Sequence, residues 1–319
     1  MIVIDSKDKY IKPLWLDTDF PALLLDDFLD FEEAKELIND GEDFIKSQLQ
    51  SNQVIHGGRI MIPWTSSNFK NLIKRSNKWK NFSRKFKKKA FNLFLEEINN
   101  LHSKSETSKT SIYELKKTKL ANIEEFKLTS KLKFRSFDKK YKKLLDSKIH
   151  SVPPDKLFTL SIIRLIDSIW IKIYSLKYFL FGKKPLIPLF DYSFSGNGYG
   201  REIHRDYDNR LIVVLLYLNT LDKDSEGGDL EIYKLNQDHH SYPPQPDKND
   251  CELQYKIKPK SGRLLMFINQ FNSYHAVSEM INNKKGRHFL YGGFTYPSSL
   301  FLNKKRLANS QLRTEMFSY

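Results

Sequence analysis

The chain has 319 residues, 40% of them apolar, with 23 Phe and a net charge of +15. That length and apolar content allow one sizeable core with a second helical unit attached, and exclude a disordered chain. The single cysteine, Cys251, excludes an internal disulfide framework and a multi-cysteine zinc site, and suits a reducing, cytoplasmic setting.

The opening residues, MIVIDSKDKYIKPLW, have neither the basic start nor the apolar run of a signal peptide. FPALLLDDFLDFEEAKELIND reads as a short strand followed by a helix. Asp30 with Glu33 three residues later makes a capping box, and Phe31, Ala34, Leu37 and Ile38 supply the apolar face. HGGRIMIPW reads as a strand ending at Pro63, and a second helix follows SSN with Phe69, Leu72 and Ile73 on one side.

Between Lys70 and Lys148 stand 24 Lys and Arg against 8 Asp and Glu, so one segment carries the whole charge excess. Within it, RKFKKK at 84–89 and KLKFRSFDKKYKK at 131–143 interleave cations with Phe134, Phe137 and Tyr141. That pattern suits a polyanion such as nucleic acid, whose phosphates take the cations and whose bases stack on aromatics. It equally suits a solvated helical insertion, because 134, 137 and 141 fall at the helical spacing of core residues.

LFTLSIIRLIDSIWIKIYSLKYFLF, residues 157–181, is the most apolar stretch, and its four charges exclude a membrane span. It reads as a long helix packed on a sheet. Ser161, Arg164, Ser168, Lys172 and Ser175 form its narrow polar stripe, and Gly182 and Pro185 stop it.

From Leu189 the character becomes β: LFDYSFS, RLIVVLLYLN, GGDLEIYKL, YKIKPK, GRLLMFIN and RHFLYGGFTY are short aromatic and branched runs punctuated by turn residues. Strands this short and dense suggest a sandwich or jelly roll. The Pro-rich HHSYPPQPDKND is a loop, and its His239 and His240 read as solvated.

SGNGYGREIHRD imitates two kinase signatures, a glycine loop and His-Arg-Asp. The kinase reading fails on spacing, because the magnesium-binding Asn belongs five residues after Asp206, where Leu211 stands, and no Asp-Phe-Gly follows. On an extended strand His204 and Asp206 point the same way. With one further donor they can hold a divalent metal. His275, in NSYHAV after GRLLMFIN, is the best third ligand. Two His and one carboxylate form the facial triad of non-haem Fe(II) oxygenases.

Residues 190–296 resemble the Fe(II)- and 2-oxoglutarate-dependent oxygenases of the prolyl 4-hydroxylase type. The resemblance rests on SGNGYGREIHRD, VVLLYLN, GGDLEIY, KPKSGRLLMFIN, NSYHAV and GRHFLYGGF, in that order. It implies a double-stranded β-helix (jelly-roll, cupin-like) core at 186–319. N-terminal elements of the fold would occupy 1–68, and a helical, Lys-rich insertion with its support helix 69–185. It also implies that His204, Asp206 and His275 bind Fe(II), and that Arg287 and Tyr217 bind the distal carboxylate of 2-oxoglutarate. O2 would complete the cosubstrates, and the product would be a hydroxylated polypeptide or small molecule, with succinate and CO2.

Taken on their own, Tyr217 also reads as a core aromatic and Arg287 as an exposed charge on an edge strand. His288 should point away from Arg287. Phe289 stands where many members have Ser, which leaves cosubstrate anchoring more dependent on Tyr217. Tyr192 and Tyr199 are candidates for the substrate pocket. Three other readings stay open: a nucleic-acid- or polyanion-binding protein on a metal-binding cupin scaffold, a metal cupin without turnover, and a halogenase. Asp206 argues against the last, which needs a small residue in place of the carboxylate.

Overall fold

The computed structural model of the protein describes residues 1–50, 59–102, 118–121, 154–206, 210–236 and 242–297. The 131–143 stretch and His239 and His240 therefore lie outside the described residues. Thirteen strands are described: β1 (Ile2–Ile4), β2 (Leu14–Leu16), β3 (Ala22–Leu25), β4 (Arg59–Pro63), β5 (Thr118–Leu120), β6 (Lys184–Ser195), β7 (Arg201–His204), β8 (Arg210–Tyr217), β9 (Leu230–Leu235), β10 (Cys251–Ile257), β11 (Leu264–Ile268), β12 (Tyr274–Val277) and β13 (Arg287–Thr295). Four α-helices are described: α1 (Phe31–Gln50), α2 (Ser67–Arg75), α3 (Asn77–His102) and α4 (Pro154–Phe179).

The strands form two facing sheets, as a jelly roll requires. The smaller has the order β1-β10-β9-β12-β7; the larger runs β2-β3-β11-β8-β13-β6-β4, with β5 beside β6. Pairing is antiparallel except for β1 with β10 and β5 with β6. The central strands are covered on both faces, which is why RLIVVLLY in β8 reads as a continuous apolar run instead of an alternation.

The outer face of the larger sheet packs against α1, α2 and α3. Phe190, Tyr192, Ile212, Val214 and Leu290 share one buried cluster there with Leu37, Leu72, Trp79 and Phe86. Val213, Leu215, Tyr217, Leu265, Phe267 and Phe289 point the other way, toward Leu230, Ile232 and Ile257 of the smaller sheet.

The helix starts form as expected. The Asp30 carboxylate accepts from the Glu32 and Glu33 amides (2.9 and 3.3 Å), and the Ser66 hydroxyl accepts from the Phe69 amide (3.1 Å). Phe31 departs from its expected place on the apolar face of α1. It is 60% exposed, while Ala34 and Leu37 are buried. As the first residue of its helix, Phe31 precedes the turn that reaches the sheet.

The RKFKKK stretch lies on α3. Phe86 is buried in the core and packs at a tilt against Phe82, with Arg84, Lys85 and Lys88 exposed around it.

The long helix expected over 157–181 exists as α4, and the described part of its polar stripe divides between the sheet and the solvent. Ile171 and Ser175 are buried, and Tyr174 and Tyr178 pack with Ile171 on Ile187 and Leu189 of β6. Ile169, Ile173, Leu176 and Phe179 are exposed. Of the polar stripe, Lys172 is exposed as expected, whereas Ser175 faces the sheet, where its small side chain permits close approach. No helix among the described residues is long and apolar enough to cross a membrane.

Candidate metal and cosubstrate site

The site is built between the sheets. β7 ends at His204, and Asp206 follows just past the strand. His275 lies on the adjacent strand β12, directly opposite His204 in register. The sequence placed His275 beyond β11. The structure gives it a strand of its own beside β7, and β11 runs in the opposite sheet, where Phe267 packs edge-on against the His275 ring (5.1 Å).

Ligand atoms of His204, Asp206 and His275 lie within 4.8 Å of one another. The GNGYG segment before them is a turn, as expected. Gly198 has a φ of 78°, which only glycine adopts without strain, and its amide donates to the Met280 carbonyl (2.8 Å).

Both imidazoles are oriented by the backbone. His204 Nδ1 lies 2.8 Å from the Glu202 carbonyl and His275 Nδ1 lies 3.1 Å from the Ser273 carbonyl. A carbonyl only accepts, so each Nδ1 carries the proton and each Nε2 presents a lone pair. His275 Nε2 is buried without a hydrogen-bond partner. Burial, and then the neighbouring His275, pushes His204 down to about 3; burial likewise lowers His275. Both rings are thus neutral near pH 7, the form that ligates metal.

Asp206 is held by two residues the sequence did not single out. The Tyr291 hydroxyl donates to both carboxylate oxygens (2.6 and 2.7 Å), and Arg210 Nη1 donates to Oδ2 (3.1 Å). Burial opposes charge on Asp206, but Arg210 and the Tyr291 hydroxyl outweigh it and keep the carboxyl well below the usual carboxylate range. Arg59 on β4 continues this wall, pairing with Asp191 (2.6 Å) and lying over the Phe289 and Tyr291 rings. Tyr291 was legible in principle, being four residues after Arg287 on the same strand face; the Arg59–Asp191 pair joins positions 132 apart in sequence and left no local trace.

Arg287 is 2% exposed on the central strand β13, which removes the edge-strand alternative. Its Nη1 donates to the Gly228 carbonyl (2.6 Å), and its Nε is buried without a partner. The neighbouring Gly227 has a φ of 72°, and a Cβ there would fall 1.7 Å from the Glu279 carbonyl, so only glycine builds the turn that presents Gly228. Among the described residues no carboxylate pairs with Arg287. Phe289, Tyr217 and Tyr199 surround its guanidinium at 4.4, 5.4 and 5.9 Å.

Tyr217 is fully buried, pushed up to about 12 by burial, and its hydroxyl has no partner. It therefore stays a proton donor at neutral pH. The orphaned His275 Nε2 fits a metal ion, and the orphaned Arg287 Nε and Tyr217 hydroxyl fit the far carboxylate of a dicarboxylic 2-oxo acid.

His288 points away from Arg287 as expected, its Nδ1 2.8 Å from the Tyr192 hydroxyl on the helix-covered face. Tyr192 consequently lines no substrate pocket, whereas Tyr199 stays beside Arg287. The physical reason is parity. Tyr192 occupies a β6 position one residue out of phase with Asp191 and Ser193, whose side chains contact Arg59 on the inner face.

Residues 190–292 match the model of the 2OG-Fe(II) oxygenase superfamily. This segment is similar to 2OG-Fe(II) oxygenase domains. No curated protein matches the chain. Solved structures similar to it include an oxidoreductase of the 2OG-Fe(II) oxygenase family from Burkholderia pseudomallei, at 13% identity and a TM-score of 0.23, covering 34% of this chain and 43% of that one. A prolyl-4-hydroxylase from Pseudomonas putida is 20% identical with a TM-score of 0.23, covering 34% of this chain and 50% of that one. A prolyl hydroxylase from Trichoplax adhaerens, in complex with a hypoxia inducible factor oxygen degradation domain peptide fragment, is 24% identical with a TM-score of 0.23, covering 34% and 43%. The match thus spans half or less of the length of each of these structures. The matched segment takes in His204, Asp206, Tyr217, His275, Arg287 and Tyr291 together.

Proposed function

We propose that the chain is an Fe(II)- and 2-oxoglutarate-dependent dioxygenase that hydroxylates an unactivated C–H of a polypeptide or small molecule in a reducing, cytoplasmic setting. The observation that carries this reading is a buried guanidinium with no carboxylate partner, Arg287, on the strand that also supplies Tyr291 to the triad. An unpaired buried charge costs several kcal/mol, and an incoming dicarboxylate removes that cost.

His204, Asp206 and His275 would hold Fe(II), and Arg287 with Tyr217 would hold the distal carboxylate of 2-oxoglutarate. When bound, iron with 2-oxoglutarate and O2 supplies the oxidation, one oxygen atom going to succinate with loss of CO2 and the other to the substrate C–H. The remaining work belongs to the chain. Tyr291 and Arg210 keep Asp206 anionic and fix its orientation. The two Nδ1–H bonds to backbone aim the imidazoles. Phe267, Phe289 and Leu265 keep bulk water from the space between the sheets.

The test is an anaerobic titration with Fe(II) and 2-oxoglutarate, followed by the visible charge-transfer band of the chelate. The parent should show the band and His275→Ala should lose it. Arg287→Ala should retain iron affinity while 2-oxoglutarate binding weakens by about 2–5 kcal/mol, the usual cost of truncating a buried pair. Unchanged binding of both in His275→Ala would overturn the metal assignment.

A further inference from the structure

Three inward-facing polar side chains follow one another along β6: Asp191, Ser193 and Ser195. Arg59 satisfies the first two. Its Nη2 donates to Asp191 (2.6 Å) and to the Ser193 hydroxyl (2.8 Å), and that hydroxyl in turn donates to Asp191. Ser195 shares their side of the strand but not their partners. It is 0% exposed, and its Oγ has no hydrogen-bond partner.

Ser195 stands directly opposite Arg287 in the antiparallel pairing of β6 with β13. Directly opposed side chains in such a ladder have Cβ atoms about 5 Å apart. On the far side of β13, Tyr217 stands opposite Phe289, one inward position along from Arg287. Three buried polar atoms without partners, Ser195 Oγ, Arg287 Nε and Tyr217 Oη, therefore sit on three consecutive strands of one sheet face. A buried hydroxyl left unbonded is costly, and three grouped on one face share a single remedy, an anion accepting from all of them.

We infer that Ser195 is a further binding residue for the distal carboxylate, donating its hydroxyl to the same group that Arg287 and Tyr217 hold. The inference rests on the reading of the site given above. It also accounts for Phe289, whose apolar ring packs against the Arg287 guanidinium at 4.4 Å and donates no hydrogen bond. The second hydroxyl comes from the neighbouring strand.

The experiment compares 2-oxoglutarate with pyruvate, which has the same 2-oxo acid head and no distal carboxylate. Each is titrated anaerobically into the Fe(II)-loaded full chain by the charge-transfer band, for the parent and for Ser195→Ala. Loss of one hydrogen bond to a charged group should weaken 2-oxoglutarate binding at least about tenfold. Pyruvate affinity should not change, and the thermal midpoint of the ligand-free variant should be equal or higher.

Equal affinities for 2-oxoglutarate in parent and variant would overturn the assignment of Ser195 while leaving that of Arg287 standing. So would a parallel loss for both acids, which is the mark of a structural or iron-directed role. A parent that gives no band with 2-oxoglutarate would overturn the site reading, and this inference with it.

Discussion

The two faces of the larger sheet are made by the same strands and do opposite things. On the outer face, side chains under α1–α3 interlock. Trp79 packs on Tyr192, Phe69 and Phe82 with ring centroids 4.8, 5.9 and 5.9 Å away and donates its Nε1–H to the Leu37 carbonyl (2.8 Å). On the inner face, Arg287, Tyr217 and Ser195 are equally buried but keep polar atoms without partners. One face lowers the free energy of the folded chain. The other holds back hydrogen-bonding capacity that the protein alone leaves unused, at a cost in stability.

The largest effect belongs to the outer face. Trp79→Ala should lower unfolding free energy by about 3–5 kcal/mol in denaturant melts, because it removes a large ring from a packed cluster as well as a hydrogen bond. Under conditions where the variant remains folded, iron and 2-oxoglutarate binding should match the parent. A loss of ligand affinity in the folded variant would show that the two faces are coupled.

The next effect is pH-dependent. His288 is the histidine of the outer face, pushed down by burial to about 4. The unfolded chain takes up a proton at this residue near pH 6.5 and the folded chain only near pH 4. Its neutral, buried state therefore disfavours folding progressively as pH falls from about 6.5 to 4, by about 3 kcal/mol in all. His288→Gln, which keeps a polar partner for the Tyr192 hydroxyl, should flatten the stability profile across that window. An unchanged slope would mean that His288 takes up its proton at the same pH in the folded and unfolded chains.

The smallest effect separates the faces most cleanly, because its two parts have opposite signs. Tyr217→Phe deletes a buried hydroxyl that has no partner, so the ligand-free protein should gain about 1 kcal/mol. The same change should weaken 2-oxoglutarate binding by about 1.5–3 kcal/mol, the worth of a hydrogen bond to a charged group. A destabilised ligand-free variant would place Tyr217 with the outer-face residues, as a structural aromatic.

Much of this was legible along the chain. The short aromatic and branched runs of β6, β8, β11 and β13 marked strands. The Asp30 and Ser66 caps marked helix starts. His204, Asp206 and His275 could be assembled because strand parity and donor chemistry are local properties. Tyr192 was misplaced because parity on β6 becomes known only when one residue is fixed to a face, and Arg59 fixes it from another strand.

What the sequence determined by itself was the six β runs from Leu189 onward, the two imidazoles and the carboxylate expected to hold one metal, and the guanidinium twelve residues beyond His275. Tertiary structure decided which polar groups are satisfied. Asp206 gains Tyr291 and Arg210, Asp191 and Ser193 gain Arg59, and Ser195 gains none. It also decided which side of α4 meets β6, a helix apolar on most of its circumference that fits the sheet where Ser175 is small. A residue's period along the chain reports which neighbours share its face. Whether a buried donor finds an acceptor depends largely on strands distant in sequence, 85 residues apart for Tyr291 and Asp206 and 132 for Arg59 and Asp191, and no local pattern encodes that pairing.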